Sequence, residues 1–565
     1  MEKHQNKKWI IADLIPETIS RSLEMFPVPI RQILCNRHIE NPESAQNYLE
    51  AKIEFADPFA LLGMKKAIDR ISQSIARKDS IAIYGDYDVD GVTATALLVE
   101  VVQALGGKVR GYIPNRFDEG YGLNNDALDL LDSEGVKLVI TVDCGIRSPQ
   151  EIGHAQAAGI DMIVSDHHHP KGGVPSAFAV ICPKQAGDVY PNKDLAGVGL
   201  AYKIAEGLIR TFPEKGLDIE KWLELVALGT VADIVPLTGE NRVLVRKGID
   251  VIRNNPRPGL KSLANMAGVT LARVNSSDIG YMLAPRLNAA GRLESALNAL
   301  NLLLADSMEV AAGYAQKLES QNRERQNATK AIQMSAEIMA EADPETYLIF
   351  AAHADFNQGV VGLAASKLVE SFYRPAIVAH QGPDFTRGSC RSIPEFHITE
   401  ALDEVSDLLI RYGGHAMAAG FTVSNANLEG FVKRMKELAR KKLSCLDLQP
   451  MIQIDAEIQL RDLKPELLPF LDQMQPTGQD NPEPLFVSKN LGVIQKKAVG
   501  ADASHLKMVL TDGLITFDAI GFRQAHHLST IKDHVDVVYN FNRNIFNERS
   551  SLQLMIRDLK PSIIE

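Results

Sequence analysis

The pattern of apolar and polar residues predicts alternating strands and helices over residues 80–182. Short apolar runs (IAIY, KVRGYIP, KLVITV, DMIVS and AFAVICP) are separated by stretches with helical spacing, such as residues 125–133 and 149–158. This alternation is typical of parallel strands joined by crossover helices. We therefore expect an α/β domain at residues 80–240 with a doubly wound parallel sheet, whose ligand site lies at the carboxyl ends of the strands.

Four further segments follow from the same pattern. Residues 1–79 are predicted to be a helical lead-in, with helices near 44–54 and 64–78, and residues 241–344 a helical connector that includes a long helix at 308–343. Strands and helices resume in a second α/β domain at 345–446. Residues 451–565 contain about five short strands with Gly, Asn and Asp turns, which predicts a small β-barrel.

Composition and charge exclude several classes of protein. At 565 residues the chain is too long for one core, and 45% hydrophobic with 23% charged residues is typical of a globular protein. No apolar run reaches the roughly 18 residues that span a bilayer, and the start has no signal-peptide core, so we expect a cytoplasmic protein with no membrane partner. The five cysteines lack CxxC spacing, which argues against a zinc ribbon or an iron–sulfur cluster. A net charge of -11 disfavours nucleic-acid binding only weakly, because a basic groove can coexist with acidic helices.

An acidic turn after the first strand is the main candidate for chemistry. Asp86, Asp88 and Asp90 lie within five residues between an apolar strand and an apolar helix. Carboxylates so close together raise one another's pKa unless cations are present, which indicates a metal site. An EF-hand is excluded because its twelfth position, which requires Glu, is Leu97. A solvated acidic turn is the remaining alternative, and the flanking apolar segments weaken it.

Two later strands end in the same kind of residue. KLVITV is followed by Asp143, and DMIVS is followed by Asp166, His167 and His168. A single Asp after a strand is usually a helix cap, but three strands that bring such groups to one edge favour a metal centre. Carboxylates with one or two imidazoles suit manganese, magnesium or zinc, and sites of this size often hold two ions about 3.5–4 Å apart.

Longer strings resemble a known family. GDYDVDG, VDCG, SDHHH and ALGTVADIVPL resemble the four motifs of the DHH phosphoesterase superfamily. YGDYDVDGVTATALL, PNRFDEGYGLN, DLAGVGLAYK, APRLNAAGRL, FNQGVVGLAASKL and GGHAMAAGF are similar to the RecJ family within it. The resemblance covers nearly the whole chain and implies a DHH catalytic domain, a connecting helix, a DHH-associated domain and a C-terminal OB-fold.

The resemblance implies a role for several residues. The implied metal ligands are Asp88, Asp90, Asp143, His167 and Asp233, with Asp86 as a further ligand, direct or through water, because relatives carry a ligand His where this chain has Tyr84. His168 and Asp166 are assigned to catalysis, with His168 facing the phosphate. The implied nucleic-acid-binding residues are Arg286, Asn288, Arg292, Arg387, Ser389, Arg391, Gly414 and His415, and Arg116 is a candidate anchor for a 5′ phosphate. Candidates on the barrel are Phe522, Arg523, Tyr539, Phe541 and Arg543.

The implied function is metal-dependent 5′-to-3′ hydrolysis of single-stranded DNA to 5′ mononucleotides in DNA repair and recombination. The expected cofactors are two divalent ions, Mn²⁺ or Mg²⁺. The expected partners are single-stranded DNA, a DNA helicase and a single-strand-binding protein, and the expected state is a monomer. Two alternatives stay open: a phosphodiesterase of short oligonucleotides or cyclic dinucleotides, and a non-catalytic replication scaffold.

Overall fold

The computed structural model describes residues 6–115, 119–120, 122–341, 346–546 and 549–562. The chain divides into two compact units, which are described separately. The larger unit contains the described residues of Trp9–Pro285, Ala299–Gly313 and Ile452–Glu565, and the smaller contains mainly those of Arg286–Asn298 and Tyr314–Met451. Within the described residues, no helix has the length and apolar character that crossing a membrane would require.

Residues 6–79 form one strand and four helices. They are β1 (Lys8–Ile11), α1 (Glu17–Ser22), α2 (Val28–Asn36), α3 (Pro42–Glu50) and α4 (Met64–Arg77). The α3 helix begins at the Asn41 cap, whose side chain accepts from Ser44 N, and it ends where Ala51 adopts a left-handed conformation. The strand was not predicted, because its pairing partner, residues 451–454, is far away in the sequence.

The predicted doubly wound sheet is confirmed. Its elements are β2 (Ser80–Gly85), α5 (Val89–Ala104), β3 (Lys108–Tyr112), α6 (Asn125–Ser133), β4 (Val136–Val142), α7 (Pro149–Ala157), β5 (Asp161–Ser165), β6 (Ala179–Ile181), α8 (Gly197–Thr211) and α9 (Leu223–Ala232). The five strands are parallel in the order β3-β2-β4-β5-β6. The strands β3 and β4 lie on opposite sides of β2, so the strand order reverses at this point. A crevice therefore opens at the carboxyl ends of β2 and β4.

Helices make up the connector. They are α10 (Gly239–Asn254), α11 (Pro258–Ala267), α12 (Ser276–Asp278), α13 (Ala284–Leu293), α14 (Leu297–Leu304) and α15 (Met308–Glu341). A π-helix at Ile279–Leu283 joins α12 to α13. The long helix α15 agrees with the predicted one to within two residues at its end.

The smaller unit contains a second α/β layer. Its elements are β7 (Ile349–His353), α16 (Val361–Phe372), β8 (Ala376–Gln381), β9 (Phe385–Arg391), α17 (Ile398–Asp403), β10 (Leu409–His415), β11 (Ala418–Ser424) and α18 (Leu428–Leu443). The sheet order is β10-β11-β9-β8-β7, and only β7 and β8 are parallel.

The C-terminal strands close into the predicted barrel. The elements are β12 (Met451–Ile454), β13 (Ala456–Glu457), α19 (Leu468–Gln473), β14 (Phe486–Val499), β15 (His505–Thr511), β16 (Thr516–Gly521), β17 (His534–Phe546) and β18 (Arg549–Pro561). The order is β14-β15-β16-β18-β17, and β17 pairs back with β14, which closes the barrel.

The N-terminal helices share one hydrophobic core with this barrel. Leu23, Ile30 and Leu34 have no exposed surface and belong to the same cluster as Leu506 and Val537 of β15 and β17. The N-terminal helices and the barrel therefore pack as one body, although the doubly wound sheet, the connector and the smaller unit lie between them in the sequence.

We predict that Leu34→Ala destabilises the barrel by about 2–5 kcal/mol, because it leaves a cavity in this shared core. The measurement is hydrogen exchange of β14 and β17 backbone amides. Leu14→Ala is the control, since Leu14 is 91% exposed. An unchanged exchange rate in the Leu34 variant would mean that the barrel does not depend on the N-terminal helices.

Candidate metal centre and nucleic-acid-binding residues

Three adjacent strands bring the predicted acids to one edge of the doubly wound sheet. Asp86, Asp143 and Asp166 each follow directly after the last residue of β2, β4 and β5. The ladder continues into this edge: Asp143 N donates to Ser165 O at 3.0 Å, and Asp166 N donates to Ile181 O at 3.1 Å. Asp143 has a left-handed conformation with φ of 62°, which turns the chain out of the strand.

Helix N-termini complete the edge. Asp88 caps α5 by accepting from Asp90 N at 3.0 Å and Gly91 N at 3.2 Å. The Asp90 carboxylate accepts from Gly197 N at 2.6 Å and Val198 N at 2.7 Å, which are the first residues of α8. Gly197 must be glycine, because a Cβ there would lie 2.6 Å from the Cβ of Asp143. A helix N-terminus stabilises this buried carboxylate.

His167 lies at the middle of the cluster. Its Nε2 is 3.1 Å from Asp143 Oδ1, 3.5 Å from Asp233 Oδ2 and 3.9 Å from Asp90 Oδ2. Three sets of possible ligand atoms lie within 4.8 Å of one another: Asp90 with His167 and Asp233; Asp143 with His167 and His168; and Asp86 with Asp88 and Asp143. Because Asp143 and His167 each belong to two sets, the geometry suits two neighbouring cations.

The polar atoms of the cluster fit metal ions. Asp143 Oδ1, Asp233 Oδ2 and both ring nitrogens of His167 are buried and have no hydrogen-bond partner within the described part of the chain. Buried polar atoms are nearly always paired, so these atoms are suited to binding a cation. Carboxylate oxygens and imidazole nitrogen are ligands that Mn²⁺ and Mg²⁺ accept.

The electrostatics agree with this interpretation. Burial, and then the charge of Asp88, raises the pKa of Asp90 to about 7. Burial, and then Asp90, raises the pKa of Asp233 to about 9, and the pKa of Asp143 rises for the same two reasons. Burial also lowers the pKa of His167 to about 3, so its imidazole is neutral and able to coordinate a cation.

His168 differs from its neighbour because Asp166 holds it. The Asp166 Oδ1 atom is 2.7 Å from His168 Nδ1, and Asp166 Oδ2 accepts from Ile146 N at 2.9 Å. Although burial alone would lower it, this hydrogen bond raises the pKa of His168. Burial alone would raise the pKa of Asp166. The same hydrogen bond outweighs burial, and the pKa of that carboxyl is lowered. Asp166 thus positions His168 and belongs to none of the three ligand sets.

In the smaller unit, β9 presents three of the predicted nucleic-acid-binding residues. Arg387, Ser389 and Arg391 occupy alternate positions and share one face, while Cys390 faces the core. The start of α16 lies against this face: a Cβ on Gly362 would be 3.0 Å from Arg391 Nη2 and 3.2 Å from Ser389 Oγ. Arg391 pairs with Ala418 of β11, which in turn pairs with His415 of β10. Gly414 needs to be glycine, because a Cβ there would lie 2.3 Å from Ala418 O.

The α13 residues have different environments. Arg286 is 9% exposed, and its Nε donates to Glu319 Oε2 of α15 at 2.6 Å. Arg292 Nη1 donates to Gly359 O at 3.4 Å, beside the start of α16. Asn288 lies one turn after Ala284 on the same helix, and its side chain is partly buried. Arg286 is therefore engaged in an ion pair within the protein, which the sequence did not indicate.

The remaining candidates divide into exposed and buried groups. Phe522 is 55% exposed, and Arg523 and Arg543 are also exposed on the barrel. Tyr539 and Phe541 are at most 1% exposed and belong to the barrel core, so their side chains cannot stack on bases in this conformation. Arg116 lies outside the residues that the structure describes, and its assignment stays a prediction.

Sequence reasoning missed the contribution of α8. DLAGVGLAYK contains the Gly197 and Val198 amides that bind Asp90, but backbone donors leave no residue-type signal. The glycine in this string is the one signal available, because Gly197 allows α8 to approach Asp143 closely.

Comparisons with known proteins identify the family of this chain. Three family models match: the DHH family N-terminal domain at residues 80–230, the DHHA1 domain at 345–441 and the RecJ OB domain at 454–558. A single-stranded-DNA-specific exonuclease RecJ of Bacillus subtilis is 37% identical over 552 residues, which is 97% of this chain and 69% of that relative. The chain belongs to the RecJ family.

Other RecJ proteins support the assignment. The Escherichia coli exonuclease RecJ is 33% identical over 574 residues, covering 97% of this chain and 98% of its own. The crystal structure of Thermus thermophilus RecJ in complex with Mn²⁺ superposes with a TM-score of 0.83 at 28% identity, over 99% of this chain and 80% of that one. A Mg²⁺ complex of the same RecJ gives a TM-score of 0.77, at 27% identity over 99% of this chain and 79% of that one.

We predict that Asp143→Asn leaves the metal-free protein at least as stable as the parent chain but removes the thermal stabilisation by Mn²⁺. The amide has no charge to desolvate or to be repelled by Asp90, yet it is a poor substitute for the carboxylate that two of the three ligand sets share. Melting temperatures in EDTA and then in Mn²⁺ test this. The control is Asp306→Asn, at an exposed position. A full Mn²⁺ shift in the Asp143 variant would exclude it as a ligand.

We predict that Mn²⁺ binds more tightly as pH rises from 6 to 8, by up to about tenfold per pH unit for each proton that the cation displaces. Carboxyls whose pKa is about 7 (Asp90) or about 9 (Asp233) hold protons in this range, and a cation must displace them. Carboxyls with ordinary pKa values would give no such dependence. Calorimetry in buffers of different ionisation enthalpy measures the released protons. Asp233→Asn should make the dependence less steep, because the cation then displaces one proton fewer. If the Mn²⁺ affinity of the parent chain does not change across this range, the raised pKa values are contradicted.

Proposed function

We propose that this protein is a metal-dependent exonuclease that removes 5′ mononucleotides from single-stranded DNA in the 5′-to-3′ direction. The observation that carries the proposal is the three overlapping ligand sets that Asp143 and His167 connect, in a chain of the RecJ family. In this proposal Asp88, Asp90, Asp143, His167 and Asp233 hold two divalent ions, Mn²⁺ or Mg²⁺, with Asp86 as a further ligand.

The bound ions would supply Lewis-acid activation of water and would offset negative charge on the phosphate. The protein's own residues prepare the site for this. The α8 amides hold the Asp90 carboxylate in one orientation, and the Asp143 carboxylate belongs to two of the three ligand sets. Asp166 keeps a proton on His168 Nδ1 and favours the imidazolium form, so His168 can donate from Nε2 to a phosphate oxygen.

The smaller unit offers the best support for phosphate binding. Ser389 and Arg391 lie beside the first turn of α16, where a helix N-terminus favours anions. We assign Arg387, Ser389, Arg391, Gly414 and His415 to the DNA backbone, together with Asn288 and Arg292. Because Arg286 already pairs with Glu319, its role would be to fix α13 against α15 or to exchange partners when DNA binds.

The barrel would bind the strand through exposed groups. Phe522 can stack on a base, and Arg523 and Arg543 can contact phosphates. We also propose two protein partners: a DNA helicase that supplies the single strand and a single-strand-binding protein that coats it. We further propose that the protein is a cytoplasmic monomer acting in DNA repair and recombination, with functional domains at 80–240, 345–446 and 451–565 joined through 1–79 and 241–344.

The two alternatives make different demands on the chain. A phosphodiesterase of cyclic dinucleotides needs no extended strand path, so the closed barrel disfavours it. A replication scaffold needs no metal ligands, yet every predicted acid is present and clustered.

We predict that Mn²⁺ or Mg²⁺ allows the protein to release mononucleotides from 5′-labelled single-stranded DNA, but not from blunt duplex DNA or cyclic dinucleotides. A chelator should abolish the activity. Asp143→Ala should lower it by more than about 100-fold, since loss of a direct ligand exceeds the effect of outer-shell partners. Asp306→Ala is the control. Cleavage of cyclic dinucleotide alone would favour the first alternative, and absence of any hydrolysis the scaffold.

A further inference from the structure

Ile234 has a strained backbone conformation directly beside the metal centre. Helix α9 ends at Ala232, Asp233 is its C-cap, and Ile234 is the next residue. The φ angle of Ile234 is 62°, which lies in the left-handed region. No other β-branched residue in the part of the chain that the structure describes has a positive φ. A β-branched side chain is an outlier in this region, because its Cβ crowds the carbonyl oxygen that follows.

At two other helix ends with a left-handed residue, the side chain has a compensating contact. Lys78, at the end of α4, donates from Nζ to Gly106 O at 2.7 Å. Tyr373, at the end of α16, donates from Oη to Glu395 Oε1 at 3.1 Å. Ile234 cannot form a side-chain hydrogen bond, and it is 69% exposed. Neither hydrogen bonding nor burial therefore offsets the strain at this position.

A turn alone does not require isoleucine here. Glycine and asparagine adopt the left-handed conformation at lower cost, and glycine is the usual residue directly after a helix. Backbone strain of this kind clusters at active sites and ligand clamps. Because packing within the protein does not explain the side chain of Ile234, its role is to contact a ligand.

The position of Ile234 limits what this ligand can be. Its neighbour Asp233 has Oδ2 3.5 Å from His167 Nε2, and both residues belong to one set of possible metal ligands. The Asp233 carboxylate is largely buried, whereas Ile234 is exposed, so Ile234 lies on the solvent side of that set. Since neighbouring Cα atoms are about 3.8 Å apart, a group that contacts Ile234 also adjoins the metal centre.

A nucleobase fits these requirements. The Ile234 side chain has no charge and no hydrogen-bonding atom, so a phosphate or a cation would gain nothing from contact with it. The face of a base is flat and largely apolar, and every base presents one, so the contact would be independent of sequence. Each base is linked through one sugar to a phosphate. A single strand whose phosphate lies at the metals therefore brings a base close to Ile234.

We propose that Ile234 is a substrate-contact residue, whose side chain packs against the face of a base in the single strand next to the metal centre. The inference rests on the proposed function, because it takes single-stranded DNA as the substrate. The contact acts on a base rather than on the phosphate backbone, and it does not depend on which base is present.

Two variants separate the apolar side chain from the backbone conformation. Ile234→Asn introduces a residue that adopts the left-handed conformation readily but removes the apolar surface, whereas Ile234→Leu keeps an apolar side chain. With Mn²⁺ and 5′-phosphorylated single-stranded DNA, we expect Ile234→Asn to raise KM by about three- to tenfold and to leave kcat within about twofold of the parent chain. In Ile234→Leu both constants should stay within about twofold of the parent. Lys78→Asn is the matched control with no expected effect, since Lys78 is exposed, follows a helix and has a φ of 60°.

Substrates that lack one base identify the contact. An abasic residue is placed at the first, second or third nucleotide from the 5′ end. For the parent chain we expect one of these positions to raise KM by about the same factor as Ile234→Asn, and in Ile234→Asn the same abasic residue should add less than about twofold. Two changes that remove the same contact are non-additive, whereas changes at independent contacts are additive in free energy.

Melting temperatures show whether Ile234→Asn acts through the fold or through Asp233. We expect this variant to melt no lower than the parent chain in EDTA, because the backbone strain is relieved, and to keep the full stabilisation by Mn²⁺. Loss of that stabilisation would make Ile234 a support for the Asp233 carboxylate and would overturn the proposal. A parental KM in Ile234→Asn, or additive effects at all three abasic positions, would also overturn it.

The same assay distinguishes this inference from the proposed function. If the parent chain does not hydrolyse single-stranded DNA, the proposed function fails and the contact by Ile234 fails with it. If the parent chain is active and the effects of Ile234→Asn and of the abasic residues are additive, only the contact by Ile234 fails.

Discussion

Burial of several carboxylates at one edge of a parallel sheet is the constraint on which the site depends. Asp90, Asp143 and Asp233 are desolvated and close enough to raise one another's pKa. Such a cluster opposes folding unless protons or cations neutralise it. The fold supplies partial compensation through the α8 amides on Asp90, and two cations between the shared ligands would supply the rest.

The same edge gives two adjacent histidines opposite properties. Among the described residues none forms a hydrogen bond with the ring nitrogens of His167, and burial lowers its pKa. His168 turns to Asp166, whose hydrogen bond raises its pKa. A neutral imidazole suits a metal ligand and an imidazolium suits a phosphate contact, so one dipeptide can serve both tasks.

Outside the site, the two ends of the larger unit depend on each other. The helices of the first fifty residues bury Leu23, Ile30 and Leu34 against the barrel, and a cavity lined by Arg37 and Arg242 lies where these parts meet the start of α10. That helix begins six residues after Asp233, so the barrel, the N-terminal helices and one proposed metal ligand adjoin a single short segment. Leu237 N donates to Gln479 O at 2.8 Å and ties this segment to the chain before β14.

The sequence alone determined the doubly wound sheet, the long helix, the barrel and the acids of the centre, because each has a local signal: strand-and-helix periodicity, or an acid directly after an apolar run. The family resemblance added Asp233, which by itself reads as a helix cap. Only the tertiary structure decided the strand at Lys8–Ile11, the α8 amides on Asp90, the pairing of Arg286 with Glu319 and the burial of Tyr539 and Phe541. Each of these depends on a partner far away in the chain or on backbone groups that every residue carries. Neither kind of contact produces a recognisable pattern in the local sequence.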